Sequence, residues 1–179
     1  INSAMLDTLV TSGLRVKLLI KFFLDNRSRS YLKELDRDYT DSKYSLYSEL
    51  ASLEKAGLLS SELTGNRRYY RANQQHPFYN EIVSIVRKTT GIDHIIENVI
   101  SRSGGLKSAW VTGTFARGID SGTIELVLSG NGINTSYIDN LIEKAEKIVK
   151  RKIMYIALTP EQAGHFLKER ESLLIWTAE

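Results

Sequence analysis

The chain has 179 residues, 42% of them hydrophobic and 25% charged, and it contains no cysteine. These proportions are typical of a globular protein, and the lack of cysteine excludes disulfides and thiolate metal sites. No apolar run approaches the ~20 residues of a membrane helix, and the first residues lack the regions of a signal peptide, so we expect a cytoplasmic protein.

The net charge of +3 is unevenly distributed along the chain. Residues 1–90 contain 14 Lys and Arg against 10 Asp and Glu, whereas residues 91–179 contain 10 against 11. A basic excess confined to one half fits a polyanion-binding module joined to a neutral one. Three scattered histidines indicate no metal site.

Apolar spacing predicts three helices in the first 60 residues. The first covers 14–24, the second covers 31–38 with Ser30 as its N-cap, and a turn at 39–41 leads to a third over 42–56. Gly57 suits the position after the last helical residue. Alternating residues in 58–63 and 67–72, around Thr64-Gly65-Asn66, then predict a β-hairpin.

Helix, helix, turn, helix and a two-stranded wing is the order of a winged helix-turn-helix domain. The segment LASLEKAGLL (50–59) and the following GNRRYYR (65–71) resemble the ArsR-type winged-helix regulators. This resemblance implies a transcriptional regulator that binds double-stranded DNA as a homodimer. The family's metal sensing through Cys and His is not carried over, because this chain has no cysteine and no histidine cluster.

The third helix and the wing contain the candidate DNA contacts. The start of a recognition helix enters the major groove, and arginines at a wing tip suit the phosphate backbone. The candidates are Ser42, Lys43, Tyr44, Ser45, Tyr47 and Ser48 on the helix, and Arg67 and Arg68 on the wing. The alternative is an ordinary solvated helix face, and exposed tyrosines argue against it. Strand alternation predicts that Tyr70 belongs to the wing core.

Two further helices, over 78–88 and 92–100, connect the halves, and Ser101 to Gly105 has the composition of a linker. We therefore predict a winged-helix domain over 1–90, a connecting helix and linker over 91–105, and a second domain over 106–179.

Strands and helices alternate in the second domain. Strands are predicted over 108–111, 124–128 and 153–158, with a helix over 137–150. Thr159-Pro160-Glu161-Gln162 predicts another helix start, with Thr as N-cap, Pro at the first position and Gln at the third. This order predicts an α/β layer, and the whole chain is expected to be α+β.

The segment GTFARG (113–118), followed by TIEL (123–126), resembles the minimal nucleotidyltransferases related to DNA polymerase β. Those enzymes have G-S-x-A-x-G and then D-x-D, whose carboxylates hold Mg²⁺. Here Thr123 and Glu125 occupy the two carboxylate positions, so we predict a domain without catalytic residues, metal or cofactor. The degenerate nucleotide site comprises Gly113, Thr114, Arg117, Gly118, Thr123 and Glu125. Asp120 is a spare carboxylate, but its place in the preceding loop does not suit a metal ligand.

Three functions follow from these resemblances. The favoured one is a DNA-binding transcriptional regulator whose second domain senses a ligand or mediates assembly. The alternatives are an active nucleotidyltransferase and an antitoxin-type protein that binds a partner protein. The glycine turn leaves weak nucleotide binding open in each case.

Overall fold

The computed structural model describes residues 12–25, 27–39 and 41–178. Over these residues the chain is an α+β protein with a three-stranded and a four-stranded sheet. It divides into two compact units between Val86 and Arg87, so the segment 91–105 belongs to the same unit as 106–178. Within the described residues, no helix has both the length and the apolar character needed to cross a membrane.

Among the residues that the structure describes, the first unit contains four helices and a small antiparallel sheet of order β1-β3-β2. Its elements are α1 (Gly13–Phe23), β1 (Ser30–Tyr31), α2 (Leu32–Asp38), α3 (Lys43–Lys55), β2 (Leu59–Thr64), β3 (Arg67–Ala72) and α4 (Tyr79–Thr90), which runs across the unit boundary.

Local sequence accounts for the start and end of α3. The amides of the first helical turn have no carbonyl acceptor within the helix. The Ser42 hydroxyl supplies one by accepting a hydrogen bond from the Ser45 amide at 3.1 Å. Gly57 follows with φ +75°, a left-handed conformation that suits glycine. The stripe of Leu46, Leu50 and Leu53 is buried, which confirms the predicted helix and its inward face.

The predicted role of Ser30 is wrong. Ser30 is a buried strand residue that pairs with Tyr70, and α2 begins two residues later at Leu32. The Glu34 carboxylate accepts a hydrogen bond from the Tyr31 amide, so Tyr31 occupies the cap position. Pairing with β3 overrides the capping preference of serine. The predicted turn includes Thr40, which lies outside the described residues, as does the stretch 1–11.

The second unit is built on a four-stranded sheet of order β6-β5-β4-β7. Its elements are α5 (Ile92–Ile95), a π-helical turn (Ile96–Ile100), β4 (Leu106–Thr112), α6 (Gly113–Ala116), β5 (Thr123–Gly130), α7 (Thr135–Val149), β6 (Lys152–Leu158), α8 (Pro160–Leu167) and β7 (Leu173–Thr177). β5 and β6 are parallel, and α7 supplies the crossover that a parallel pair needs. The other pairs are antiparallel.

The predicted strands and the predicted helix over 137–150 of this unit are confirmed, although β7 was not predicted. The helix predicted over 92–100 is α-helical only at Ile92–Ile95 and continues as a π-helical turn. The start of α8 has the predicted capping box, in which the Thr159 hydroxyl accepts from the Gln162 amide and the Gln162 side chain accepts from the Thr159 amide. β7 completes the sheet by pairing with β4. The sheet core is formed by residues such as Val111, Leu126 and Leu128, which are buried.

Candidate functional site

The exposed face of α3 presents two large aromatic side chains. Tyr44 is 83% exposed and Tyr47 is 55% exposed, although tyrosine is amphipathic and usually buries its ring. Tyr47 borders a cavity of about 620 Å³ between the helices and the β2–β3 hairpin (59–72), which we call the wing. The cavity is lined by Tyr31, Leu32, Lys33, Asp36, Lys43, Tyr47, Asn66, Arg67, Arg68 and Tyr70.

The charge of this cavity is positive. Four cationic side chains line it against a single carboxylate, that of Asp36. Lys43 Nζ lies 3.4 Å from an Asp36 oxygen, but the Lys43 side chain is itself mostly exposed. Such an exposed pair is weak and leaves the lysine accessible to an anion. The cavity therefore suits a polyanion that contacts α3 and the wing together.

The predicted DNA contacts separate into groups. Lys43, Tyr47, Arg67 and Arg68 line the cavity beside the wing. Tyr44, Ser45 and Ser48 instead line a second cavity of about 440 Å³, shared with residues of α1. Ser42 borders neither cavity; its hydroxyl caps α3 and lies 2.8 Å from the Ser45 hydroxyl.

The two wing arginines lie on opposite faces of the sheet. Arg68 approaches Glu54 of α3 at 3.9 Å, on the same face as the buried Tyr70. The burial of Tyr70 confirms its predicted place in the core and raises its pKa, against the opposing effect of Arg68. On the other face, a hydrogen bond to Tyr69 and the nearby Tyr31 raise the pKa of Arg67.

In the second unit, the glycine turn lies against Glu125. Gly113 has φ +68°, and a Cβ at this position would collide with the Glu125 carboxylate. Register explains the approach, since Glu125 pairs with Thr112 at the end of β4. Thr123 lies two residues earlier on β5 and so shares the sheet face of Glu125. The structure thus brings the turn and the two substituted carboxylate positions together.

The other residues of the turn have partners within the protein. The Thr114 hydroxyl is 2.8 Å from that of Ser121, and Arg117 Nε is 3.8 Å from a Glu171 oxygen. Gly118 ends the turn with φ +78°. Arg117 is therefore directed towards an exposed carboxylate in this structure.

Asp120 forms the shortest ion pair among the described residues, and sequence reasoning missed it. Arg151 Nη2 lies 2.6 Å from Asp120 Oδ2, and Nε donates to the same carboxylate at 2.9 and 3.1 Å. Arg151 is only 8% exposed, and its Nη1 donates to the carbonyls of Val149 and Thr89. Nothing in the sequence around Arg151 indicates a partner 31 residues away. The carboxylate beside the glycine turn is thereby bound to a buried cation.

No three histidine, aspartate or glutamate side chains of residues 12–25, 27–39 and 41–178 come together as a metal-binding group.

Comparison with known proteins identifies no family. The sequence matches no protein-family model and no curated protein. Among solved structures, a candidate nucleotidyltransferase from Sulfolobus solfataricus aligns at 22% identity over 54% of this chain and 86% of its own, with a TM-score of 0.35. The archaeal chromatin protein TrmBL2, described as having a novel mode of DNA binding, aligns at 14% identity over 94% of this chain and 75% of its own, with a TM-score of 0.31. Likenesses this weak support no conclusion about the function of this chain.

Proposed function

We propose that this chain is a DNA-binding transcriptional regulator of the ArsR-like winged-helix type, active as a homodimer. Its second, nucleotidyltransferase-like domain (106–179) follows a connecting segment (91–105), has no catalytic activity, and senses a ligand or mediates assembly. The observation that carries the DNA-binding part is the cationic cavity between α3 and the wing, with exposed Tyr47 at its edge.

The shape and charge of that surface suit duplex DNA. Lys43, Tyr44 and Tyr47 lie in the N-terminal turns of α3, and these turns of a recognition helix contact the major groove while a wing tip suits the backbone. Phosphate contacts determine affinity and register, and side chains at base edges determine sequence preference. We therefore assign phosphate contacts to Arg67 and Arg68, and base contacts to Tyr47.

Salt dependence tests the wing assignment. The Arg67→Ala/Arg68→Ala double variant should weaken binding to every duplex sequence, and the slope of log K against log[salt] should fall by about 0.9 for each lost phosphate contact. Lys88→Ala, which removes one exposed positive charge from α4, is the control for charge loss outside the wing. An unchanged slope in the double variant would contradict the assignment.

Sequence preference tests the helix and the dimer. Tyr47→Ala should reduce discrimination between selected and random duplexes more than it reduces overall affinity. Selection from random DNA with the unaltered chain should enrich a palindrome, because a two-fold dimer reads two equivalent half-sites. An equal loss of affinity for selected and random duplexes would argue against base contacts by Tyr47. If the selection enriches no sequence, a protein-binding role is favoured.

The proposal that the second domain lacks catalysis rests on its carboxylates. Two-metal phosphoryl transfer needs several carboxylate oxygens around ions about 3.5–4 Å apart. Thr123 offers a neutral hydroxyl, Glu125 is a single charge, and Asp120 is paired with Arg151. Incubation with radiolabelled ATP, Mg²⁺ or Mn²⁺ and a panel of acceptors should give no label transfer. Transfer that disappears in Glu125→Ala would overturn this proposal.

A protein partner is the second candidate role of this domain, as in an antitoxin-type protein. Met154, Ile156 and Leu174 are exposed, and strand register places them on the sheet face that also presents Glu125. Exposed apolar residues on one face favour a protein contact. A stable complex with a co-encoded neighbouring protein would support this role, whereas calorimetric binding of ATP or GTP at millimolar concentration would support ligand sensing.

A further inference from the structure

The wing sheet has a second, outward-facing surface with its own arrangement of arginines and tyrosines. We call Arg29, Tyr31, Arg67, Tyr69 and Arg71 the outer wing face. These residues alternate with buried Ser30, Tyr70 and Ala72 along β1 and β3 and so project to the opposite side of the sheet.

The part of this surface around Arg71 faces away from α3. Ser61 and Arg68, on the inner face of the sheet, both contact Glu54 of α3. Register pairs Ser61 with Tyr70, which is buried on the same inner face. The sheet therefore lies between Glu54 of α3 and the side chain of Arg71 on the outer wing face. Tyr31 and Arg67 of this face also line the cavity beside α3, whereas Arg29 and Arg71 do not.

Aromatic rings hold two of the guanidinium groups in place. The Arg29 guanidinium carbon lies 4.1 Å from the Tyr69 ring centroid, and that of Arg67 lies 4.7 Å from the Tyr31 centroid. The two rings contact each other edge-on at 5.2 Å. Stacking on a ring orders a guanidinium group without neutralising its charge. The side chain therefore loses less conformational entropy when an anion binds, which favours binding.

A cavity of about 330 Å³ opens at the base of this face. Its lining contains three arginines and no carboxylate. The full lining is Arg27, Ser28, Arg29, Ser60, Arg71, Ala72, Asn73, Gln74 and Gln75. Hydroxyl and amide groups beside guanidinium groups supply donors for an anion from several directions.

The arginines of the cavity retain unused donors. The Arg71 backbone pairs with Ser60 of β2, but its side chain has no ion pair or hydrogen bond with any residue that the structure describes. Arg29 binds Glu62 and Thr64 through Nη2 alone, which leaves its Nε and Nη1 without a described acceptor. Arg27 lies 3.5 Å from Asp25 but is mostly exposed, so that pair is weak.

We propose that Arg27, Arg29 and Arg71 form a phosphate-binding site at the base of the wing, separate from the surface of α3 and the wing tip. Guanidinium groups match phosphate oxygens in bidentate geometry, and no lining carboxylate opposes the anion. The phosphate is supplied either by a duplex backbone beyond the segment that α3 contacts or by a small phosphorylated molecule. The site does not depend on DNA recognition by α3.

Two measurements on the full chain separate these sources. The first is calorimetric titration with inorganic phosphate at constant ionic strength. The second is the salt dependence of binding to a random-sequence duplex. The variants are Arg71→Gln and Arg27→Gln/Arg71→Gln. Lys88→Gln is the charge-matched control for the single variant. Neither arginine is buried, and Arg71 makes no described contact that its replacement would break.

The double variant should bind phosphate at least about tenfold more weakly, or lower the salt slope on DNA by about 0.9 for each arginine that contacts the backbone. Loss of phosphate binding alone identifies a small ligand, and a reduced slope alone identifies the backbone. Arg71→Lys should restore charge but not bidentate geometry, and so should recover binding only in part. A double variant equal to the unaltered chain in both measurements would overturn the site. Because Arg67 and Arg68 stay intact here, this failure is distinguishable from failure of the wing-tip assignment.

Discussion

Replacing Asp120 by asparagine should destabilise the second unit strongly. The substitution removes a carboxylate that receives three hydrogen-bonding contacts from Arg151. The arginine side chain remains 6% exposed, so its positive charge stays buried without a counter-ion. The amide of the new side chain would offer one carbonyl oxygen as an acceptor, but no charge.

The size of the effect follows from the surroundings of the pair. Removing one partner of a buried ion pair costs about 3–5 kcal/mol. Asp120 is 23% exposed and Arg151 keeps two backbone carbonyl partners, which places this pair at the lower end. We expect the free energy of unfolding to fall by about 2–4 kcal/mol. Replacing both residues, as Asp120→Asn/Arg151→Met, should cost less than the single change, because no buried charge is left unpaired.

Tryptophan fluorescence during urea unfolding measures this effect selectively. Both tryptophans of the chain, Trp110 and Trp176, lie on strands of the second unit, so their signal follows that unit. Glu171→Gln is the matched control, because its pair with Arg117 is longer, at 3.8 Å, and exposed. It should change the unfolding free energy by less than about 0.5 kcal/mol. If Asp120→Asn also changes the unfolding free energy by less than about 0.5 kcal/mol, the ion pair does not stabilise this unit.

Three further predictions concern single side chains. Tyr39→Phe should stabilise the first unit by about 1 kcal/mol, because the buried Tyr39 hydroxyl has no hydrogen-bond partner among the described residues. Urea unfolding followed by circular dichroism measures this change. A loss of stability would contradict the prediction and indicate that the hydroxyl has a partner. The Ile153 amide and Lys152 lower the pKa of Glu146, so its contribution to stability is present above the ordinary glutamate pKa and lost as pH falls through its lowered value. The stability difference between the unaltered chain and Glu146→Gln should therefore be largest at neutral pH and vanish in acid, and a pH-independent difference would contradict this. Gly113→Ala should destabilise the second unit by about 1–3 kcal/mol because of its positive φ and the Glu125 carboxylate, and adding Glu125→Ala should recover part of the loss.

Short-range features were predictable because their partners lie within a few residues. Serine at a helix start meets the amide three residues later, as in α3, and glycine follows the last turn of a helix wherever a left-handed residue is required. The capping box at Thr159 and the leucine stripe of α3 have the same local origin. These patterns gave most of the element positions and the apolar faces.

Contacts between distant residues depended on the tertiary structure. Ser30 has a good capping side chain, yet pairing with Tyr70 made it a strand residue. The pairing of β7 with β4 and of Asp120 with Arg151 joins segments whose local sequence shows no preference for each other. The arginines of the wing were visible in the sequence, but the close approach of Arg29 and Arg71 across two strands was not. A periodic pattern specifies which side of an element is buried, whereas the neighbour across the sheet is selected only when the whole chain packs.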